Sequence, residues 1–180
     1  MAHILYLVTG APGAGKSTTV EALIRLNSGI LVFDMDWFLD AASRLAGQDI
    51  RVAPQTWPAY YALWMEILAA LAHNRQTSLL CAPISPQDMR RYGQPHWCAE
   101  VVWLLLDCDD TLRRQRLTQR PGWTEPLIAE ALADAQKLRE AVARRIDTGS
   151  HTPAQVAQLI QVWIVATKVN NDPTANAGRG

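Results

Sequence analysis

The chain has 180 residues, of which 49% are hydrophobic and 19% charged, and its formal net charge is zero. That length allows a sizeable core, one burying about 70% of the unfolded surface, and the even charge argues against a general nucleic-acid or anionic-membrane binder. Cys81, Cys98 and Cys108 are far apart with no C-x-x-C pair, which argues against a disulfide framework or a cysteine zinc site and fits a reducing cytosol. No apolar run reaches the about 18 residues of a membrane span, and no basic segment or cleavage site opens the chain. The expectation is a cytoplasmic protein.

Ile4 to Val8 is an apolar run that predicts a buried strand. It leads into Gly10-Ala11-Pro12-Gly13-Ala14-Gly15-Lys16-Ser17, which fits G-x-x-x-x-G-K-[ST], the phosphate-binding loop. Ser17 to Leu26, with Val20, Leu23, Ile24 and Leu26, predicts the helix that this motif requires. Glycines let successive backbone N–H groups turn inward, and the helix N-terminus adds partial positive charge behind them. Gly10, Gly13, Ala14, Gly15, Lys16, Ser17 and Thr18 are therefore the predicted triphosphate-binding residues. Lys16 would reach the outer phosphates, and the Ser17 hydroxyl would ligate Mg²⁺.

After a stop at Asn27-Ser28-Gly29, Ile30 to Phe33 predicts a second strand, ending in Asp34-Met35-Asp36. Open α/β sheets place their ligands at such carboxyl ends. A helix is expected over Trp37–Leu45, a loop over Gly47–Pro54 and a long helix over Trp57–His73, with Tyr60, Tyr61, Trp64, Ile67, Leu68 and Leu71 on its apolar positions. Thr77–Cys81 predicts a third strand, and Ser85-Pro86 opens a short helix as N-cap and first residue. Val101–Leu106 predicts a fourth strand, apolar throughout as when both faces are covered. Asp109 or Asp110 would cap a helix reaching Gln119, and Thr124 would cap another reaching Val142. Arg145–Thr148 predicts a fifth strand. Thr152-Pro153 opens a last helix with Val156, Leu159, Ile160, Trp163 and Ile164 inward. The small polar stretch 170–180 reads as a tail. Alternating strands and helices predict a doubly wound parallel sheet covered on both faces.

The loop near residue 10, the Asp-x-Asp after strand two, the arginines Arg113, Arg114, Arg116 and Arg120 after strand four, and the polar turn after strand five occur in a telling order. The sequence resembles the P-loop kinases, the group that includes adenylate, shikimate and gluconate kinases and chloramphenicol phosphotransferase. The resemblance covers residues 3 to 168. It implies a three-layer α/β/α domain over residues 1–169 with strand order 2-3-1-4-5, a substrate-binding region over residues 34–75 and a lid over residues 117–125. It implies ATP and Mg²⁺ as cofactors, and a kinase that moves the γ-phosphoryl group to a hydroxyl of a small molecule.

The resemblance also divides the two aspartates. Asp34 would meet the Mg²⁺ shell through water, and Asp36 would take the proton of the acceptor hydroxyl; helix capping is the other role open to Asp36. Arg116 and Arg120, four apart on one helix face, would neutralise the transferring group. Arg113 would stack on the adenine, and Thr148 to Thr152 would border it. Strand three departs from the pattern, ending in Cys81-Ala82-Pro83 where many such kinases carry an acid. Asp107 reads as structural rather than metal-binding. Trp37 and Trp57 are candidates for a pocket that takes an aromatic or nucleoside-like acceptor, while Tyr61 and Trp64 read as core. A nucleoside or nucleoside monophosphate kinase is one alternative, and a non-catalytic or slowly hydrolysing ATP-binding regulatory module is another. No N-K-x-D sequence supports a GTPase. Expected partners are the small-molecule acceptor and at most a second copy in a homodimer, with neither nucleic acid nor membrane.

Overall fold

β1 (Ile4–Thr9) is the middle strand of a sheet whose other members are β2 (Leu31–Asp34), β3 (Ser78–Cys81), β4 (Glu100–Asp107) and β5 (Arg145–Asp147). All pairings are parallel, in the order β2-β3-β1-β4-β5. The computed structural model describes residues 3–170. Among the described residues six α-helices lie between the strands, α1 (Lys16–Leu26), α2 (Leu39–Ala46), α3 (Trp57–His73), α4 (Pro86–Tyr92), α5 (Asp110–Thr118) and α6 (Glu125–Ala141), and α7 (Pro153–Asn170) follows β5. The predicted tail beyond Asn170 lies outside the described residues.

The period-2 geometry of a strand sends alternate side chains to opposite faces, and β1 shows what this does. Tyr6 and Val8 join Val20 and Leu23 of α1 and Val156, Ile160 and Trp163 of α7 in one layer. Leu5 and Leu7 join Met35, Tyr60, Tyr61, Trp64 and Leu68 in the other. Tyr6 meets Trp163 edge-on at 5.5 Å. Because β3 lies on one side of β1 and β4 on the other, the winding reverses at the central strand, and the carboxyl end of β1 opens into a crevice.

Several local expectations are corrected. The chain after β2 does not enter an α-helix at Trp37 but makes a 3₁₀ turn over Met35–Phe38 first. The stretch expected as loop contains two more such turns, Ile50–Val52 and Pro54–Thr56, because Ile50 is pulled into the core. Thr124 is the N-cap residue of α6 as expected, but its side chain makes no capping hydrogen bond. Leu159 faces outward, at 40% exposure, and Ala157 takes a buried position on α7 instead. Ser85 caps α4 as expected, in a reciprocal box with Asp88. That box occupies Asp88, so it does not stand in for the acid missing from β3.

Candidate active site

The loop between β1 and α1 is held by its glycines and by arginines from α5. At Gly10 a Cβ would come within 2.7 Å of the Leu106 carbonyl and 3.0 Å of the Ala14 Cβ, so only glycine lets the loop leave β1 this close to β4. Gly13 has φ 81 and packs against Arg113 Cγ at 3.1 Å, a left-handed conformation in a space with no room for a side chain. Lys16 Nζ donates to the carbonyls of Gly10 at 2.6 Å and Ala11 at 3.4 Å. Burial holds the ammonium below its ordinary pKa, with Asp36 and then Asp34 opposing the shift.

Asp34 ends β2, is buried, and does two jobs. Its Oδ1 accepts from the Asp36 backbone N–H at 3.0 Å and caps the 3₁₀ turn. Its Oδ2 accepts from the Ser17 hydroxyl at 3.3 Å. Capping therefore falls to Asp34 and not to Asp36, whose carboxylate makes no hydrogen bond among the described residues. Asp36 sits above the usual carboxylate range, first because its surroundings strip water from it and then because Asp34 is beside it; Lys16 and Arg51 pull the other way. Lys16, Ser17, Asp34 and Asp36 thus converge at the carboxyl ends of β1 and β2.

Ser17 and Asp34 supply hard oxygen donors, and no group of three or more His, Cys, Asp or Glu side chains among the described residues forms a fuller cage. Two protein oxygens suit Mg²⁺, which keeps several waters and takes its other ligands from substrate phosphates. The residues therefore fit that ion, which Ser17 and Asp34 could hold. Cys81, opposite Asp34 in the β2–β3 register, is buried, and burial pushes its thiol well above the ordinary value. It is a neutral neighbour, not a ligand.

The arginines divide differently from expectation. Arg113 is fully buried beneath the loop. Its Nη1 donates to the carbonyls of Ala11 at 3.3 Å and Pro12 at 2.7 Å, and its Nη2 to Asp107 Oδ1 at 2.7 Å. An adenine ring has no access to it, so the stacking role is corrected to one of loop support. Arg139 of α6, which the sequence did not single out, completes the clamp. It binds Asp107 through Nε at 2.7 Å and through Nη2 at 3.2 Å, and its Nη2 also reaches the Cys108 carbonyl and Asp110. The only local sign of Arg139 was a basic residue near a helix C-terminus, which the dipole alone accounts for. Asp107 is thus ion-paired to both arginines, in keeping with the structural role expected for it.

Arg116 lies over the loop, donating to the Gly13 carbonyl at 3.1 Å, Thr148 Oγ1 at 3.0 Å and the Thr148 carbonyl at 2.9 Å. Together with Gly15, Thr18, Arg120, Thr148 and His151 it lines an open cleft of about 510 Å³. Arg120 does not share a helix face with Arg116 as expected, because α5 ends at Thr118; it is exposed in that cleft, and its guanidinium makes no ion pair among the described residues. Arg114 turns away and pairs with Glu125. On the other side of the loop, Tyr61 and Trp64 are core, while Trp37 is 50% exposed and Trp57 is half-buried against Tyr60.

Comparison with protein-family models and with curated proteins finds no match. Solved structures do match. A sugar kinase from Janibacter sp. superposes with a TM-score of 0.60 at 21% identity, covering 92% of this chain and 95% of that one. A tunicamycin resistance protein from Deinococcus radiodurans gives 0.66 at 21% identity, covering 91% and 96%. Shikimate kinase from Acinetobacter baumannii, in complex with shikimate, gives 0.61 at 20% identity, covering 94% and 96%. The chain has the fold of the P-loop kinases: a five-stranded parallel sheet of order β2-β3-β1-β4-β5, with a phosphate-binding loop leaving its central strand.

Proposed function

We propose that this protein is a cytoplasmic, ATP- and Mg²⁺-dependent kinase that transfers the γ-phosphoryl group to a hydroxyl of a small molecule. The observation that carries this reading is the convergence of the phosphate-loop lysine, a serine–aspartate oxygen pair and a second, unengaged aspartate at one crevice. Phosphoryl transfer asks a protein mainly for position and charge. The N–H groups of Gly13, Gly15, Lys16 and Ser17 and the Lys16 ammonium would hold the β- and γ-phosphates. A Mg²⁺ ion held by Ser17 and Asp34 would supply charge neutralisation on the phosphate oxygens. Arg120, free in the cleft, and Arg116, now on the Gly13 carbonyl, would meet the charge that spreads over the transferring group.

Asp36 would orient the acceptor. As the hydroxyl oxygen bonds to the γ-phosphorus, the bond to the bridging oxygen breaks, ADP leaves with that electron pair, and the hydroxyl proton passes to the Asp36 carboxylate. The test is an ATP-coupled acceptor screen with two variants. Lys16→Ala is expected to abolish phosphorylation and ATP binding together. Asp36→Asn is expected to lower transfer by about 10²- to 10⁴-fold and to leave ATP affinity unchanged. Transfer by Asp36→Asn at the wild-type rate removes Asp36 from this role. Tight ATP binding with no acceptor phosphorylated favours the regulatory-module alternative.

A further inference from the structure

α7 is apolar on both of its faces. The inward one, Val156, Ala157, Ile160, Trp163 and Ile164, packs on β1 and α1. The outward one carries Leu159 at 40% exposure, Val162 at 66%, Val165 at 55% and Val169 at 58%, with Ala166 exposed among them. α1 lies beside α7 and exposes Ile24 in the same layer. From Pro153 to Asn170 the charge on the helix is that of Lys168, and its Nζ is drawn aside to Thr77 Oγ1 at 3.0 Å. A helix hydrophobic all round belongs inside a larger core, and adjacent exposed apolar side chains mark a surface that meets a partner.

Three observations select the partner. Residues 171–180 contain no Val, Leu, Ile, Met or aromatic residue, so they supply no apolar cover. A helix that lies on a membrane surface is bordered by several lysines and arginines, whereas α7 has Lys168 alone, and Glu21 and Arg25 on α1 neutralise one another at 3.1 Å. A two-fold contact sets a surface against itself, and a face without charge can oppose its own copy without repulsion. The spacing fits the same answer. Leu159, Val162, Ala166 and Val169 follow at intervals of three, four and three, the seam of helices that pack knobs into holes. These intervals read the same from either end. Two antiparallel copies therefore bring Leu159 against Val169 and Val162 against Ala166, each twice, with a small residue opposite a larger one at the centre.

We propose that α7 is a self-docking surface, pairing antiparallel with α7 of a second copy across a two-fold axis between Val162 and Ala166. The seam is about 15 Å long and one helix, about 10 Å, wide. That falls well short of the about 800 Å² per partner of a standard interface. The dimer is accordingly weak, with a Kd on the order of 100 μM.

Sedimentation equilibrium of the full chain, carried up to about 1 mM and so about tenfold above that Kd, tests the pairing. Wild type is expected to pass from monomer to dimer over that range. Val162→Glu and Ala166→Lys are each expected to weaken self-association at least tenfold. Both positions are exposed, so the far-UV circular dichroism of each variant should match wild type. Mixing the two variants is expected to restore dimers, because the antiparallel register sets the new carboxylate of one copy against the new ammonium of the other. Four outcomes overturn the proposal. Wild type remains monomeric at the highest concentration; it dimerises but Val162→Glu dimerises as well; the mixed variants stay apart; or the chain does not self-associate and instead binds phosphatidylglycerol vesicles in a manner that Val162→Glu abolishes.

Discussion

Arg113 shows how much a single side chain depends on its surroundings. Its guanidinium has no exposure, and it spans Asp107 and the carbonyls of Ala11 and Pro12. Such a group is costly to bury and costly to remove once its partner has been desolvated. Arg113→Met is expected to lower folding stability by about 3 kcal/mol or more, since the Asp107 carboxylate would keep only Arg139. Arg113→Lys is not expected to restore it, because an ammonium lacks the planar fork that serves carboxylate and carbonyls together. Urea unfolding measures both. A variant with wild-type stability and a raised KM for ATP would instead return Arg113 to the nucleotide. Asp34 and Asp36 divide their work on equally local grounds. The one that ends the strand accepts the capping N–H, and the one inside the turn keeps its oxygens free.

Among elements, the junction of β1 with the phosphate loop carries the tightest constraint. The loop leaves the sheet between β1 and β4, with the Leu106 carbonyl against Gly10 and the arginines of α5 and α6 beneath. Gly10→Ala puts a methyl 2.7 Å from a backbone oxygen that β4 holds in place, so the loop must give way. ATP affinity is expected to fall by about tenfold or more, a weakening of about 1.4 kcal/mol in the grip on the phosphates, and calorimetric titration checks it. Unchanged affinity would show that the loop adapts elsewhere. α5 joins both sides of the cleft beside the loop, since Arg113 supports the loop from below and Arg116 ties Gly13 to Thr148 after β5. A shift in α5 would therefore be felt at once by the loop and by the turn after β5.

For the molecule as a whole, two buried phenols set an alkaline limit. Tyr6 donates to the Ile164 carbonyl at 3.5 Å and Tyr61 to the Gly93 carbonyl at 3.1 Å. Burial pushes each phenol up to about 12 from an ordinary 10.0. Below pH 10.0 both are neutral whether folded or not, and their contribution to stability is fully present. From there to about pH 12 the unfolded phenols ionise while the folded ones resist, so stability falls as pH rises. Denaturant midpoints across that window are expected to decline, and Tyr6→Phe with Tyr61→Phe to make the decline shallower; an equal slope in the double variant would count against the assignment. The sequence alone determined the sheet, the helices and the phosphate loop. Those are written in short-range patterns: period 2, period 3.6, and eight consecutive residues from Gly10 to Ser17. Only the tertiary structure decided where the arginines went. Arg113 and Ala11 are 102 positions apart, and Arg139 and Asp107 are 32 apart. An arginine on a helix reads the same whether it meets solvent, phosphate or a buried carboxylate, and the choice is made by which strand and loop the fold brings beside it.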